Sequence, residues 1–347
     1  MTKIYKRPFK ETITLKLVFE MFIVLLLMWF ICKDFIFSGL LLVADMPVFE
    51  ALNTAFATAG TGGFGFIPGS MEMFNPFSQY VMASFLILFG CNFSLYYLII
   101  VGRIKEAWKS EELKNYLAIA GVSVLLIFAS LVGKFEAFPQ SYTVEEAFRH
   151  SFFQVASIMT TAGFSTTDYA LWPTLAVTIL VVVMFVGGMA GSTAGGMKVS
   201  RIIIAVKGAF GNVRSLINPR YVPRSKFEGK LLERKTINDV FAFVTLNFFI
   251  LMGTVFVLAL DPLNGQIAAI VSDAGTYSVE HGFFSNFSSA LACLSNVGPA
   301  FEAVGPYSSY AGYSAISKIL LTFVMLVGRL EILPVLVLFS PKTWKKI

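Results

Sequence analysis

The sequence predicts an all-α polytopic membrane protein built from repeated helix–half-helix–helix units. Three observations carry that reading. Of 347 residues, 56% are hydrophobic and only 14% charged, and the mean hydropathy is +0.74; soluble domains carry about 25% charged residues. Apolar runs of about 20 residues, enough to cross a hydrocarbon core, recur along the chain. Between them lie shorter runs that stop at a glycine turn, and this pattern occurs three times.

In chain order, residues 1–16 are basic and 17–30 apolar. The apolar run continues through Cys32 to Ile36 with no small-residue cleavage site after it, which favours a retained first helix over 17–37 rather than a signal peptide. Residues 49–59 are too few to span, and Gly60-Thr61-Gly62-Gly63-Phe64-Gly65 ends them, since glycine favours non-helical backbone. A second helix is expected over 77–102, followed by Arg103, Lys105, Lys109 and Lys114, and a third over 116–132. The second short run, 144–159, ends in Thr160-Thr161-Ala162-Gly163-Phe164, and a fourth helix runs from Trp172 to a break at Gly187. Residues 198–235 read as a polar, basic stretch in which Pro219 and Pro223 mark loop. A fifth helix over 240–260 is closed by Asp261-Pro262. The third short run, 283–294, ends in Ser295-Asn296-Val297-Gly298-Pro299, and a last helix over 315–339 precedes Lys342, Lys345 and Lys346.

The turn glycines Gly63, Gly163 and Gly298 are spaced by roughly 100 and 135 residues, far beyond solenoid periods of about 20–50. The repeat unit is therefore a membrane subdomain. Pore repeats are expected over 1–110, 111–212 and 237–347, with a basic cytoplasmic linker at 213–236. Lys and Arg concentrate at 1–16, 103–114, 198–235 and 342–346. The stretches holding the turns carry mostly acids, Asp45, Glu50, Glu72, Glu136, Glu145, Glu146, Asp168, Asp273, Glu280 and Glu302. The positive-inside rule makes the basic stretches cytoplasmic and opens the turns outward, so that each half-helix enters and leaves on the outer side.

The net charge of +6 is spread between apolar runs and gives no nucleic-acid patch. Cys32, Cys91 and Cys293 lack metal-ligand spacing and read as buried thiols; His150 and His281 are isolated. An enzyme embedded in the bilayer would need acids or histidines clustered inside the spans, and only Glu331 lies there. No catalytic or cofactor site is expected.

The chemistry lies in the turns. The aligned quartets are Gly60-Thr61-Gly62-Gly63, Thr160-Thr161-Ala162-Gly163 and Ser295-Asn296-Val297-Gly298. Small residues let backbones approach a shared axis, glycine lets successive carbonyls point inward, and such carbonyls replace an ion's hydration shell. The hydroxyls of Thr160 and Thr161 offer further ligands. Each half-helix also aims its partially negative C-terminus into the membrane, which favours a cation there. The reading is a central ion pore. The dense glycines at Gly187, Gly188, Gly191, Gly195 and Gly196 break a regular helix at about 1 kcal/mol each relative to alanine. They read either as a close-packing patch or as an intramembrane loop that gates the pore. Arg329, inside the last apolar run, either pairs with Glu331 or snorkels, or faces a cavity. Lys198, Arg201 and Lys207 are membrane anchors or part of a docking surface for a cytosolic regulator, for which 214–235 is a candidate.

The motifs TTAGFSTTDYALWP (160–173), GGMAGSTAGGMKVSR (187–201), FATAGTGGF (56–64), SNVGPAFEAVGP (295–306) and VGRLEILPVLVLFSPKTWK (327–345) resemble the superfamily of K⁺ transporters that includes the TrkH, KtrB and plant HKT proteins, most closely the TrkH group. The resemblance covers nearly the whole chain. It implies potassium uptake across the plasma (inner) membrane through a backbone-carbonyl filter, with K⁺ held at the filter residues. It also implies a gating loop that includes Lys198, a positive barrier at Arg329, a homodimer, and a TrkA-like nucleotide-binding regulatory subunit. Family members carry four pore repeats, and the three here resemble the second, third and fourth. The chain by itself is therefore expected not to form a complete K⁺ pathway, the alternatives being a non-conducting fragment or a Na⁺-permeable relative.

Overall fold

The structure is a computed structural model that describes residues 39, 41, 46–65, 69–133, 141–218, 225–261, 268–272, 275–279 and 282–330. The expected helix at 17–37 with Cys32, the basic ends 1–16 and 342–346, and the last helix beyond Leu330 with Glu331 lie outside the described residues. So do Asp45, Glu136, Pro219, Pro223, Asp273, Glu280 and His281.

The three half-helices form where expected. They are α1 (Val48–Ala59), α6 (Val144–Met159) and α10 (Phe283–Ser295). At 1.5 Å per residue, α6 is about 24 Å long, short of a hydrocarbon core of about 30 Å. Its start is fixed by a capping box: the Glu146 amide donates to Thr143 Oγ1 at 3.3 Å, and the Thr143 amide donates to Glu146 Oε2 at 2.9 Å. A spanning helix, α5 (Glu111–Val132), precedes α6, and α9 (Arg234–Leu260) precedes α10. Both are long and apolar enough to cross a membrane. The α9 helix starts six residues before the apolar run because Arg234 and Lys235 form its first turn, outside the lipid-compatible stretch but inside the helix.

The second helix departs from expectation. Residues 77–102 form not one span but two helices, α2 (Pro76–Phe89) and α3 (Phe93–Ile100), bent by 94° at the break. Asn92 starts α3 by accepting the Ser94 amide at 2.8 Å, the capping role of an Asn N-cap. A Cβ on Gly90 would stand 2.3 Å from Tyr116 Oη, so only glycine fits there. A one-turn helix, α4 (Ile104–Ala107), links α3 to α5.

The stretch 198–235 also departs from its polar, loop-like reading. The fourth helix, α7 (Thr174–Val186), stops at Gly187, and the chain resumes after the glycine break as α8 (Val199–Ile217). Val199, Ser200, Ile204, Gly208 and Gly211 form the buried face of α8, and the apolar Val206, Phe210, Val213 and Leu216 are exposed on its other side. A Cβ on Gly208 would lie 2.7 Å from Ile237, so α8 packs closely on α9. A small hairpin, β1 (Lys226–Phe227) with β2 (Lys230–Leu231), follows α8. A second, β3 (Ala268–Ser272) with β4 (Gly275–Val279), sits in the loop after α9 and pairs Ala268 with Val279 and Ser272 with Gly275. The last described helix is α11 (Ala315–Leu330).

The half-helices are the centre of the packing. The α6 helix lies against α2, α5 and α7, and α10 against α9 and α11. Serines Ser151, Ser157, Ser285, Ser288 and Ser289 are fully buried at these interfaces, consistent with small residues letting membrane helices approach. Large apolar side chains are exposed on the outer faces, among them Leu125 on α5, Phe249 and Phe256 on α9 and Ile319 on α11. Such faces suit lipid. The basic stretches 103–114 and 198–235 meet: Lys207 pairs with Glu111, and Ser225 donates to the Lys207 carbonyl at 3.4 Å. The loops after the turns meet elsewhere: the Met71 amide donates to the Ser165 carbonyl at 2.8 Å, and Tyr307 donates to Glu72.

Gly90→Ala is expected to lower the melting temperature of the detergent-solubilised protein, since overpacking costs about 1–3 kcal/mol. An unchanged melting curve would contradict the close approach of α2 to Tyr116.

Candidate functional site: three helix-ending turns above a glycine loop

The three half-helices end identically. The amides of Thr61, Thr161 and Asn296 donate three residues back, to Thr58, Ile158 and Cys293. The amides of Gly62, Ala162 and Val297 donate five residues back, to Ala57, Ser157 and Ala292, at 2.8, 2.9 and 2.9 Å. This pair of bonds is the Schellman motif, which closes carbonyls that a helix end otherwise leaves open. It requires a left-handed residue at the stop, and Thr61 (φ 49°), Thr161 (φ 56°) and Asn296 (φ 58°) supply it. Asparagine tolerates that region, whereas for β-branched threonine it is a genuine outlier. Such strain costs roughly 1–3 kcal/mol and persists only where the surroundings hold it. Two residues later Gly63, Gly163 and Gly298 again have positive φ, 67°, 83° and 103°.

The turns touch in series. A Cβ on Gly63 would fall 1.8 Å from the Ala162 carbonyl oxygen, and one on Gly163 would fall 2.1 Å from that of Val297. The first turn thus lies against the second and the second against the third, backbone to backbone. At Gly298 no atom among the described residues lies within 4 Å of the Cβ position.

The glycine break lies directly against the three helix ends. Thr193 Oγ1 donates to the Ala59 carbonyl at 3.4 Å, the Gly195 amide to Thr161 Oγ1 at 2.6 Å, and the Gly196 amide to the Ser295 carbonyl at 3.2 Å. The glycines make the fit possible: a Cβ on Gly195 would stand 2.3 Å from the Ser295 oxygen, and one on Gly187 2.6 Å from the Gly195 oxygen. Gly188 is closed in by Ala194, and Gly191 lies beside Asn92. Gly187, Gly191 and Gly196 also have positive φ.

Of the twelve turn residues, some carbonyls are already engaged. Thr61 Oγ1 donates to the Gly60 carbonyl at 2.8 Å, and Tyr310 donates to that of Gly298 at 2.7 Å. The hydroxyls expected as ligands are engaged as well: Thr160 donates to the Ala156 carbonyl at 2.7 Å, and Thr161 receives the loop amide. Asn296 uses its side chain to donate to the Met325 carbonyl at 3.2 Å.

On the other side of the loop is a cavity of about 240 Å³ lined by Thr193, Lys198, Arg201, Phe243 and Arg329. Arg329 Nη1 donates to the Thr193 carbonyl at 3.1 Å, and Lys198 Nζ to the Ala194 carbonyl at 2.5 Å. The Arg201 guanidinium stacks 4.1 Å above the Phe243 ring. Three cations therefore gather beneath the turns, and two of them are bonded to the loop itself. Lys207 is apart, on the hairpin side with Glu111.

A family model described as cation transport protein, TrkH, matches residues 9–346. The chain belongs to the TrkH family. It is 32% identical over 305 residues to the Trk system potassium uptake protein TrkH of Salmonella typhimurium, covering 87% of this chain and 58% of that one. To the Trk system potassium uptake protein TrkG of Escherichia coli K12 it is also 32% identical over 305 residues, with the same coverage. The crystal structure of the potassium transporter TrkH from Vibrio parahaemolyticus superposes with a TM-score of 0.81 at 27% identity, covering 96% of this chain and 66% of that one. The chain thus spans 58% of the length of these curated relatives. As a TrkH-family member it is a multi-pass membrane protein, and its family consists of transport proteins rather than enzymes.

Two parts of this TrkH-family site escape a sequence reading. Gly328 presses on the third half-helix, where a Cβ would fall 2.0 Å from the Leu294 oxygen; its only signal is a glycine beside Arg329. Glu112 is buried and accepts the Ala190 amide at 2.8 Å, inside the glycine break, and the Ser200 amide at 3.2 Å, in the first turn of the helix after it. Its signal, an acid in the first turn of α5, looks like ordinary helix-start chemistry.

Gly163→Ala should destabilise the protein more than Gly298→Ala. Both add left-handed strain of about 1–2 kcal/mol, but only the first drives a Cβ into a backbone oxygen. Thermal unfolding in detergent should rank the variants in that order; equal shifts would argue against contact between the second and third turns.

Proposed function

We propose that this chain supplies three of the pore repeats of a potassium-uptake protein of the plasma (inner) membrane. In this reading K⁺ passes down its electrochemical gradient through a filter built from residues 60–63, 160–163 and 295–298. The observation that carries the reading is the threefold Schellman turn, with matched left-handed residue and glycine, seated against its neighbours. Three half-helix C-termini converge there with their partial negative charge, which favours a cation, and unpaired turn carbonyls are the groups that replace hydration water. The relatives' names as potassium uptake proteins support K⁺ as the transported ion. No covalent step and no resident cofactor is required.

The loop of Gly187, Gly188, Gly191, Gly195 and Gly196 acts as the gate. It bonds to all three half-helix ends, so an ion leaving the filter meets it. Lys198 and Arg329 hold the loop from below and, with Arg201, present a positive field that a cation must cross. The pore repeats occupy 1–110, 111–212 and 237–347. The basic segment 213–236 faces the cytoplasm and, together with Lys207, receives a TrkA-like nucleotide-binding subunit, and the protein works as a homodimer.

A second reading is favoured by one observation. The turns form an arc from the first to the third, and the relatives are longer than this chain. The chain alone is then a non-conducting part, and discrimination of K⁺ from Na⁺ is completed by a further repeat.

Potassium-uptake-deficient cells expressing this chain alone should not grow on low K⁺, and robust rescue would refute the second reading. In a complete transporter carrying these repeats, Arg329→Ala and deletion of 191–196 should each raise ⁸⁶Rb⁺ flux into proteoliposomes several-fold. Flux that stays at the parent level would reduce the loop to packing and Arg329 to an anchor.

A further inference from the structure

We infer that Glu112 is the positioning residue of the glycine loop, a latch that ties the loop at Ala190 to the start of α8 and is itself set by the cytoplasm-side hairpin. The α8 helix begins without help from its own N-cap residue: Lys198 has a φ of 73° and makes no side-chain cap bond. A helix start leaves its first amides open. Glu112, only 5% exposed, reaches across from α5 and accepts the Ser200 amide, placing a carboxylate where the helix dipole favours negative charge. The same oxygen, Oε1, accepts the Ala190 amide within the break. One atom thus ties residue 190 to residue 200, and the segment between them bonds to the three half-helices.

Glu112 does not stand alone. Its own amide donates to Glu228 Oε1 at 2.9 Å, and Ser110 Oγ donates to the same oxygen at 2.8 Å. Glu228 is the left-handed residue (φ 51°) in the turn between β1 and β2. Lys207 fastens the assembly by pairing with Glu111 while donating to the Lys226 carbonyl at 2.7 Å. A continuous set of bonds therefore runs from the hairpin through the first turn of α5 to the loop. Displacing the hairpin shifts the start of α5, and with it the acceptor that holds residues 190 and 200. Hydrogen bonds to a charged group are the strong ones, and Glu112 is the acceptor that joins Ala190 to Ser200.

The latch concerns the geometry of the loop; its effect on flux rests on the gate reading above. The test is amide hydrogen exchange of the detergent-solubilised chain, with ⁸⁶Rb⁺ flux measured in a complete transporter bearing the same substitution. Glu112→Ala should speed exchange across 189–200 by about tenfold or more, the scale of a lost charged hydrogen bond, while α5 beyond its first turn and α6 keep their protection. Glu112→Gln, which retains an oxygen acceptor, should restore part of that protection, and Glu228→Ala should loosen the same segment to a smaller degree. If Glu112→Ala does not fold, the other two variants carry the test. Parent-like exchange at 189–200 in Glu112→Gln and Glu228→Ala would overturn the latch, as would loosening spread evenly over the whole protein. A loosened loop with raised flux supports both latch and gate. A loosened loop with unchanged flux keeps the latch and removes the gate.

Discussion

A helix that stops inside a bilayer leaves carbonyls with no water to bond, and each unsatisfied group costs several kcal/mol in hydrocarbon. This protein meets that constraint at three places at once. The Schellman bonds close part of each helix end, and donors from the glycine loop take the Ala59 and Ser295 carbonyls. Most of the unusual residues follow from this arrangement. Left-handed backbone is needed at Thr61, Thr161 and Asn296 because that is how the turn closes. Glycines are needed at 63, 163 and 195 because neighbouring carbonyl oxygens stand where a Cβ would be.

Threonine in the strained position has a further logic. At Thr161 the hydroxyl receives the Gly195 amide at 2.6 Å, so the residue that bears the strain is also the one that docks the loop. At Thr61 the hydroxyl turns back to the Gly60 carbonyl. At the third position asparagine, at ease in this conformation, spends its amide on the Met325 carbonyl of α11. The backbone is common to the three turns, and the side chains differ according to which neighbour each turn must hold.

What could be read from the sequence was local. The short runs 49–59, 144–159 and 283–294 match the observed half-helices to within a residue at either end, because a brief amphipathic run and its glycine stop lie side by side in the chain. What escaped was set at a distance. The break at 90–92 sits in an apolar run long enough to span, with Gly90 and Asn92 as its local signals, and its bonding partners lie about a hundred residues on: the Met189 amide donates to the Gly90 carbonyl at 3.0 Å, and the Phe93 amide to the Gly191 carbonyl at 3.1 Å. The α8 helix was hidden because its charges, counted together, resemble a loop; only the spacing of Val199, Ile204, Gly208 and Gly211 reveals a face. The turn hydroxyls of Thr160 and Thr161 read as free because nothing nearby in sequence competes for them, whereas the folded chain engages both.

The mutual bonding of those two breaks bears on how the chain is made. Residues 90–92 leave the ribosome well before residues 187–191, and at a synthesis rate of roughly 5–20 residues per second the gap lasts on the order of 5–20 s. For that interval the Gly90 carbonyl and the Phe93 amide lack these two partners. The insertion machinery or a pocket of trapped water must shelter them, or the segment must enter the bilayer as one straight helix and buckle once its counterpart arrives.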